Sequence, residues 1–135
     1  MSNFTNALGL DIGAARIGVA RINAIAKIPE PLCVLKNDDN FNSMLNRLIK
    51  EHDIDLVVVG KPRNLSGNTT DQTNIVADFM NTLHLSIPIE YQDETLSTVV
   101  ASDMVGKKYP KEMEDALAAG VILQDYVMSL AGPLV

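Results

Sequence analysis

The run Ile54-Asp55-Leu56-Val57-Val58-Val59-Gly60 limits the fold more than any other part of the chain. A continuous β-branched stretch without polar alternation is typical of a strand covered on both faces, as in a parallel sheet. Parallel strands need long crossovers, and helical patterns stand on both sides of this run. From Asn40 onward, Phe41, Met44, Leu45, Leu48 and Ile49 recur at helical spacing, with Asp38 or Asp39 expected as the N-cap. Downstream, Lys61 to Asn68 reads as a loop. Ile75, Val76, Phe79, Met80 and Leu83 then form the apolar face of a second helix, which Thr69 and Gln72 would open as a capping box.

The remaining segments complete the string. Ala7 to Ile12 and Ile17 to Ile22 are apolar runs joined by Gly13-Ala14-Ala15-Arg16, which predicts a hairpin. Leu32 to Leu35 supplies a third strand and Ile87 to Tyr91 a fifth. Helices are expected at about 95–105 and 111–130. The order βββαβαβα, its last helical part split, predicts an α/β protein with a five-stranded mixed sheet and helices on both faces. At 135 residues, with no repeat or linker composition, residues 1–135 are expected to form a single domain.

Three acids do not suit their surroundings. Asp11 lies in the otherwise apolar and small Ala7-Leu8-Gly9-Leu10-Asp11-Ile12-Gly13, and an ionised carboxylate on a buried strand is costly unless paired. A strand end where Asp11 bonds the turn opened by Gly13 is one explanation; a metal-ligand carboxylate is the other. Glu94 follows the fifth strand, and acids at a helix N-terminus are ordinarily explained by the macrodipole. Asp115 starts the small and apolar Asp115-Ala116-Leu117-Ala118-Ala119-Gly120. A glycine inside a helix costs about 1 kcal/mol relative to alanine. Close packing of this helix on the sheet would offset that cost and carry Asp115 towards Asp11. Three carboxylates on elements that could share one sheet end suggest a divalent-cation site.

The formal charge of −6 argues against non-specific coating of nucleic acid, whose affinity scales with cationic contacts. Yet six of the eleven cations, Arg16, Lys61, Arg63, Lys107, Lys108 and Lys111, lie in segments next to these acids. Lys61, Arg63 and Asn64 leave the buried strand towards a helix start, where free N–H groups and cations can hold a phosphate; an ordinary strand-to-helix loop is the plainer reading. With three Phe, three Tyr and no Trp, any nucleic acid would be gripped by backbone and shape more than by base stacking. His52 and His84 lack partners at ligand spacing, and the lone Cys33 reads as a core thiol. No apolar run approaches the roughly 20 residues that span a bilayer, and the start lacks a signal-peptide pattern, so a cytoplasmic protein is expected.

Four segments, in order, carry a resemblance: Asp11 to Ala20, Val57 to Gly67, Asp93 to Thr98, and Asp115 to Ala119 with Ile122 to Tyr126. The series resembles the YqgF (RuvX) family, pre-16S rRNA nucleases also described as Holliday-junction-resolvase-like, over essentially the whole chain. The resemblance implies an RNase H-like fold, a cytoplasmic location and divalent-metal-dependent phosphodiester hydrolysis that matures the 5′ end of 16S rRNA. It assigns Asp11, Glu94 and Asp115 as the catalytic and metal-holding triad for Mg²⁺ or Mn²⁺, with two ions expected. Arg16, Lys61, Arg63, Asn64, Lys107, Lys108 and Lys111 are then the expected substrate contacts. Structured RNA or branched DNA would be the partner, with the ribosomal small subunit as a further one, and the chain would act as a monomer or dimer. Two departures stand out: Thr95 replaces the usual Arg after the Asp-Glu pair, and Val100 replaces a common Glu. Thr95 and the acidic charge balance leave a catalytically weak RNA-binding or ribosome-assembly factor as one alternative; a Holliday-junction resolvase acting on branched DNA is another. The Asp-Ile-Gly hairpin also resembles the first phosphate motif of actin-like and sugar-kinase proteins, but 135 residues leave no room for their second lobe.

Overall fold

A computed structural model describes residues 4–61, 71–93 and 110–130, and of 71–74 the backbone only. Strands β1 (Asn6–Ile12), β2 (Arg16–Asn23) and β3 (Glu30–Lys36) form an antiparallel meander. Helix α1 (Phe41–Glu51) leads to β4 (Leu56–Lys61), and α2 (Asp71–Asn81) leads to β5 (Ile89–Asp93). A single 3-10 turn, Lys111–Met113, precedes α3 (Glu114–Leu130). The strand order is β3-β2-β1-β4-β5, with β1, β4 and β5 mutually parallel, so the expected five-stranded mixed sheet is present.

Alternation along the strands sorts side chains into two layers. On one face Leu8, Leu10, Ile17, Val19, Val57 and Val59 meet Phe41 and Leu45 of α1 and Val76 and Met80 of α2. On the other, Ala7, Ala20, Ile22, Leu56 and Val58 meet Ala119, Ile122, Leu123 and Tyr126 of α3. β4 is therefore covered on both sides, which is why its sequence does not alternate. The α3 face of β1 and β2 is small at its centre, where Ala7, Gly9, Gly18 and Ala20 lie. A Cβ on Gly9 would lie 2.6 Å from Leu123 Cγ and 2.9 Å from the Ala119 carbonyl oxygen. α3 rides directly on the sheet backbone, as the small residues of its first turns predicted.

Several boundaries differ from expectation for local reasons. β4 begins at Leu56, because the Asp55 carboxylate accepts from the Thr5 N–H (2.8 Å) and the Asn6 N–H (3.1 Å) and so ties down the start of β1. β5 runs to Asp93 and starts at Ile89; Pro88 has no N–H to add to the ladder, although its carbonyl accepts from the Val57 N–H (3.0 Å). The N-cap of α1 is Asn40, not Asp38 or Asp39; the Asp38 carboxylate instead accepts from the Asn40 N–H at 2.9 Å. Met44 and Ile75, counted among the apolar faces, are exposed at 39% and 62%. Thr69 of the expected capping box and the helix expected near 95–105 lie outside the described residues. No helix among the described residues is long and apolar enough to cross a membrane.

Candidate active site

Because β1, β4 and β5 are parallel, their carboxyl ends form one edge of the sheet, where ligands of open α/β sheets bind. Asp11 stands at this end of β1. It pairs in register with Gly18 of β2, and cross-strand partners point to the same face. That face is covered by α3: a Cβ on Gly18 would collide with the Asp115 carbonyl and lie 2.8 Å from the Ala116 nitrogen. The backbone of Asp115 thus rests on the cross-strand neighbour of Asp11, and the two acids share one face and one end of the sheet. One step beyond the pair Leu10 and Val59 comes the buried Gly60, so Asp11 has a glycine beside it on each flanking strand.

The Asp115 carboxylate meets Arg16, whose Nε lies 3.2 Å from Asp115 Oδ2; the two side chains are 69% (Arg16) and 33% (Asp115) exposed. Arg16 opens β2 in the same phase as Gly18, hence on the α3 face. Its backbone is firmly held. The Gly13 N–H donates to the Arg16 carbonyl at 2.9 Å, and a Cβ on Gly13 would sit only 2.6 Å from that oxygen. Asn37 clamps the turn from outside: its side-chain amide donates to the Gly13 carbonyl (2.8 Å), and its N–H donates to the Ala15 carbonyl (3.0 Å). Sequence reasoning missed Asn37, which only its position just after β3 could have suggested. It also missed the pairing of Arg16 with Asp115, for which no local signal exists.

The other expected site residues are placed differently. Lys61, in phase with Val57 and Val59, leaves β4 on the α1/α2 face, and its ammonium sits 5.3 Å from the centroid of the Tyr91 ring. Asp93 pairs with Lys61 in register and shares that face, whereas Glu90 faces α3 and accepts a hydrogen bond from the Tyr126 hydroxyl. Lys111 opens the 3-10 turn ahead of α3 and is exposed. Glu94, Arg63, Asn64, Lys107 and Lys108, together with Thr95 and Val100, lie outside the described residues. Among the described residues no three His, Cys, Asp or Glu side chains are grouped closely enough for an ion. Asp11 and Asp115 nevertheless offer hard oxygen donors at an accessible sheet end, the donor chemistry that suits Mg²⁺ or Mn²⁺. Burial pushes the Cys33 thiol up, and His52 lies beside Arg21 (Nδ1 to Nη1, 3.5 Å), away from this end of the sheet.

A three-stranded antiparallel meander continued by two parallel strands, in the order β3-β2-β1-β4-β5 and covered by helices on both faces, is the RNase H-like fold of α/β proteins. Solved structures agree on the fold. The fowlpox virus Holliday junction resolvase superposes with a TM-score of 0.56 at 14% identity, covering 92% of this chain and 99% of that one. RuvC of Thermus thermophilus, solved with a Holliday junction substrate, gives 0.54 at 14%, covering 95% and 96%. The family model described as RuvX, Holliday junction resolvase, matches residues 5–129. A relative from Chloroflexus aurantiacus is 38% identical over 89% of this chain and 84% of its own. One from Streptococcus agalactiae is 36% identical over 89% and 95%. Both carry the provisional name pre-16S rRNA nuclease. The chain belongs to the RuvX family.

Proposed function

We propose that this protein is a divalent-metal-dependent nuclease of structured nucleic acid, and that its role is to process the 5′ end of pre-16S rRNA in the cytoplasm. The observation that carries the reading is the placement of Asp11 and Asp115 on one face of the sheet's carboxyl end. Glu94, which follows β5 directly in sequence, is proposed as the third acid. Asp11, Asp115 and the proposed Glu94 would hold Mg²⁺ or Mn²⁺, which when bound would supply activation of an attacking water and stabilisation of the leaving 3′ oxygen. The chain's own part is to hold acidic oxygens on two elements locked together through Gly18. Arg16 on the α3 face, Lys61 on the opposite face, and Arg63, Asn64, Lys107, Lys108 and Lys111 are proposed as contacts to a nucleic-acid backbone that reaches past the edge of the sheet. The names of the curated relatives, pre-16S rRNA nuclease, support RNA as substrate.

The second reading is resolution of branched DNA, supported by the description of the family model and by the likeness to two resolvases. One experiment separates the two. Purified protein is incubated with 5′-extended 16S precursor and with a four-way DNA junction, each with Mg²⁺, Mn²⁺ or EDTA. Divalent-dependent cleavage of the RNA alone, abolished by Asp11→Asn, is the expected result. Cleavage of the junction alone would move the assignment to DNA. Binding without cleavage of either would leave an assembly factor.

A further inference from the structure

We propose that Arg16 is a metal-responsive arm: it holds Asp115 while no cation is bound, yields to a divalent cation, and then takes a nucleic-acid phosphate. Metal loading and nucleic-acid binding are thereby coupled. The inference rests on the reading of Asp11 and Asp115 as cation-holding acids. Three observations carry it. The first is asymmetry of restraint. The Asp115 backbone is pinned over Gly18, and the Arg16 backbone is pinned by Gly13 and, through the turn, by Asn37, whereas the Arg16 side chain is 69% exposed. The mobile partner is the guanidinium. The second is that the pair engages Asp115 Oδ2 through Nε at 3.2 Å, so a cation drawing on that carboxylate competes with Arg16 for the same oxygen. An ion pair this exposed is weak and easily displaced, and its positive charge opposes a divalent ion nearby. The third is chemistry. A guanidinium freed at the edge carrying Asp11 presents a planar fork of donors suited to a phosphate diester.

The test needs no turnover. Mn²⁺ affinity is measured by calorimetry and by thermal shift for wild type, Arg16→Gln, Arg16→Lys and Asp11→Asn, after circular dichroism in EDTA confirms that each is folded. Binding of a phosphorothioate-substituted RNA stem-loop is then measured by anisotropy at constant ionic strength, with and without Mn²⁺. Arg16→Gln should bind Mn²⁺ about fivefold more tightly than wild type, the effect of removing one nearby exposed charge. Arg16→Lys should stay near wild type. Mn²⁺ should tighten RNA binding by wild type and do so much less in Arg16→Gln. Unchanged or weaker Mn²⁺ affinity in Arg16→Gln would overturn the inference, since Arg16 would then only prop Asp115. If wild type takes up no Mn²⁺, or Asp11→Asn takes it up equally well, the cation-site reading itself fails. If wild type binds Mn²⁺ through Asp11 and only the Arg16 effects are missing, the site stands and the arm does not.

Discussion

At the scale of single residues, glycine decides whether the acids can meet. Gly18→Ala would drive a Cβ into the Asp115 carbonyl, a backbone atom that cannot rotate away. Overpacking costs typically ~1–3 kcal/mol, and this site should fall at or beyond the upper end. Gly9→Ala meets Leu123 Cγ at 2.6 Å and the Ala119 carbonyl oxygen at 2.9 Å, a clash as well but a milder one than at Gly18. Urea unfolding should therefore rank Gly18→Ala as clearly more damaging than Gly9→Ala. Asp11→Asn is expected to abolish hydrolysis without loss of fold, because Asn keeps the shape and loses the charge proposed to hold a cation. Circular dichroism together with cleavage of 5′-extended RNA checks both halves, and retained activity in a contaminant-free preparation would remove Asp11 from the catalytic site. Cys33 offers a separate check. Burial raises its thiol above the ordinary range, so little thiolate exists at neutral pH, and alkylation should be slow in the native protein and fast in urea.

At the scale of elements, α3 is both the lid of one core and the carrier of Asp115. Leu123 is fully buried against β1. Leu123→Ala should cost about 2–5 kcal/mol in denaturant unfolding, the usual range for a buried leucine. If α3 positions the acid, the same variant should lose cleavage even under conditions where it remains folded. The opposite face makes the contrast. Met44 and Ile75 fall in helical phase with buried neighbours but lie at the margin of the stripe, so Met44→Ser and Ile75→Ser should each change stability by no more than about 0.5 kcal/mol. A larger loss at either position would mean that the stripe of α1 or α2 is wider than the packing indicates.

For the whole molecule, electrostatics sets the terms of binding. A chain of net charge −6 can grip a polyanion only through local concentrations of cations. Neutralising Lys61, Arg63, Lys107, Lys108 and Lys111 together should weaken RNA binding strongly and flatten its salt dependence, because fewer counterions are released per complex. Sequence preference should barely move, since backbone contacts carry no base information directly. A salt titration of a single structured RNA against wild type and the five-site variant measures this. An unchanged log-log slope would place the ligand elsewhere.

Much of this arrangement was already legible in the residues. Local periodicity and composition identified the five strands, the doubly covered β4 and the helical crossovers, because each is written in a window of ten or so residues. Asp11 was legible by misfit, an acid where the strand wanted a hydrophobe, and Asp115 by the small residues around it, which foretold close packing. Other features depended on tertiary structure because they rest on register and on which helix covers which face. Only the pairing of Asp11 with Gly18, and of Gly18 with the backbone of α3, puts the two acids on one side of the sheet. The same register sends Lys61 to the other face, over Tyr91, although in sequence it stood as a neighbour of the site. Arg16 found its partner 99 residues away, a distance no local pattern spans, because what joins them is the crossing of a helix over a hairpin.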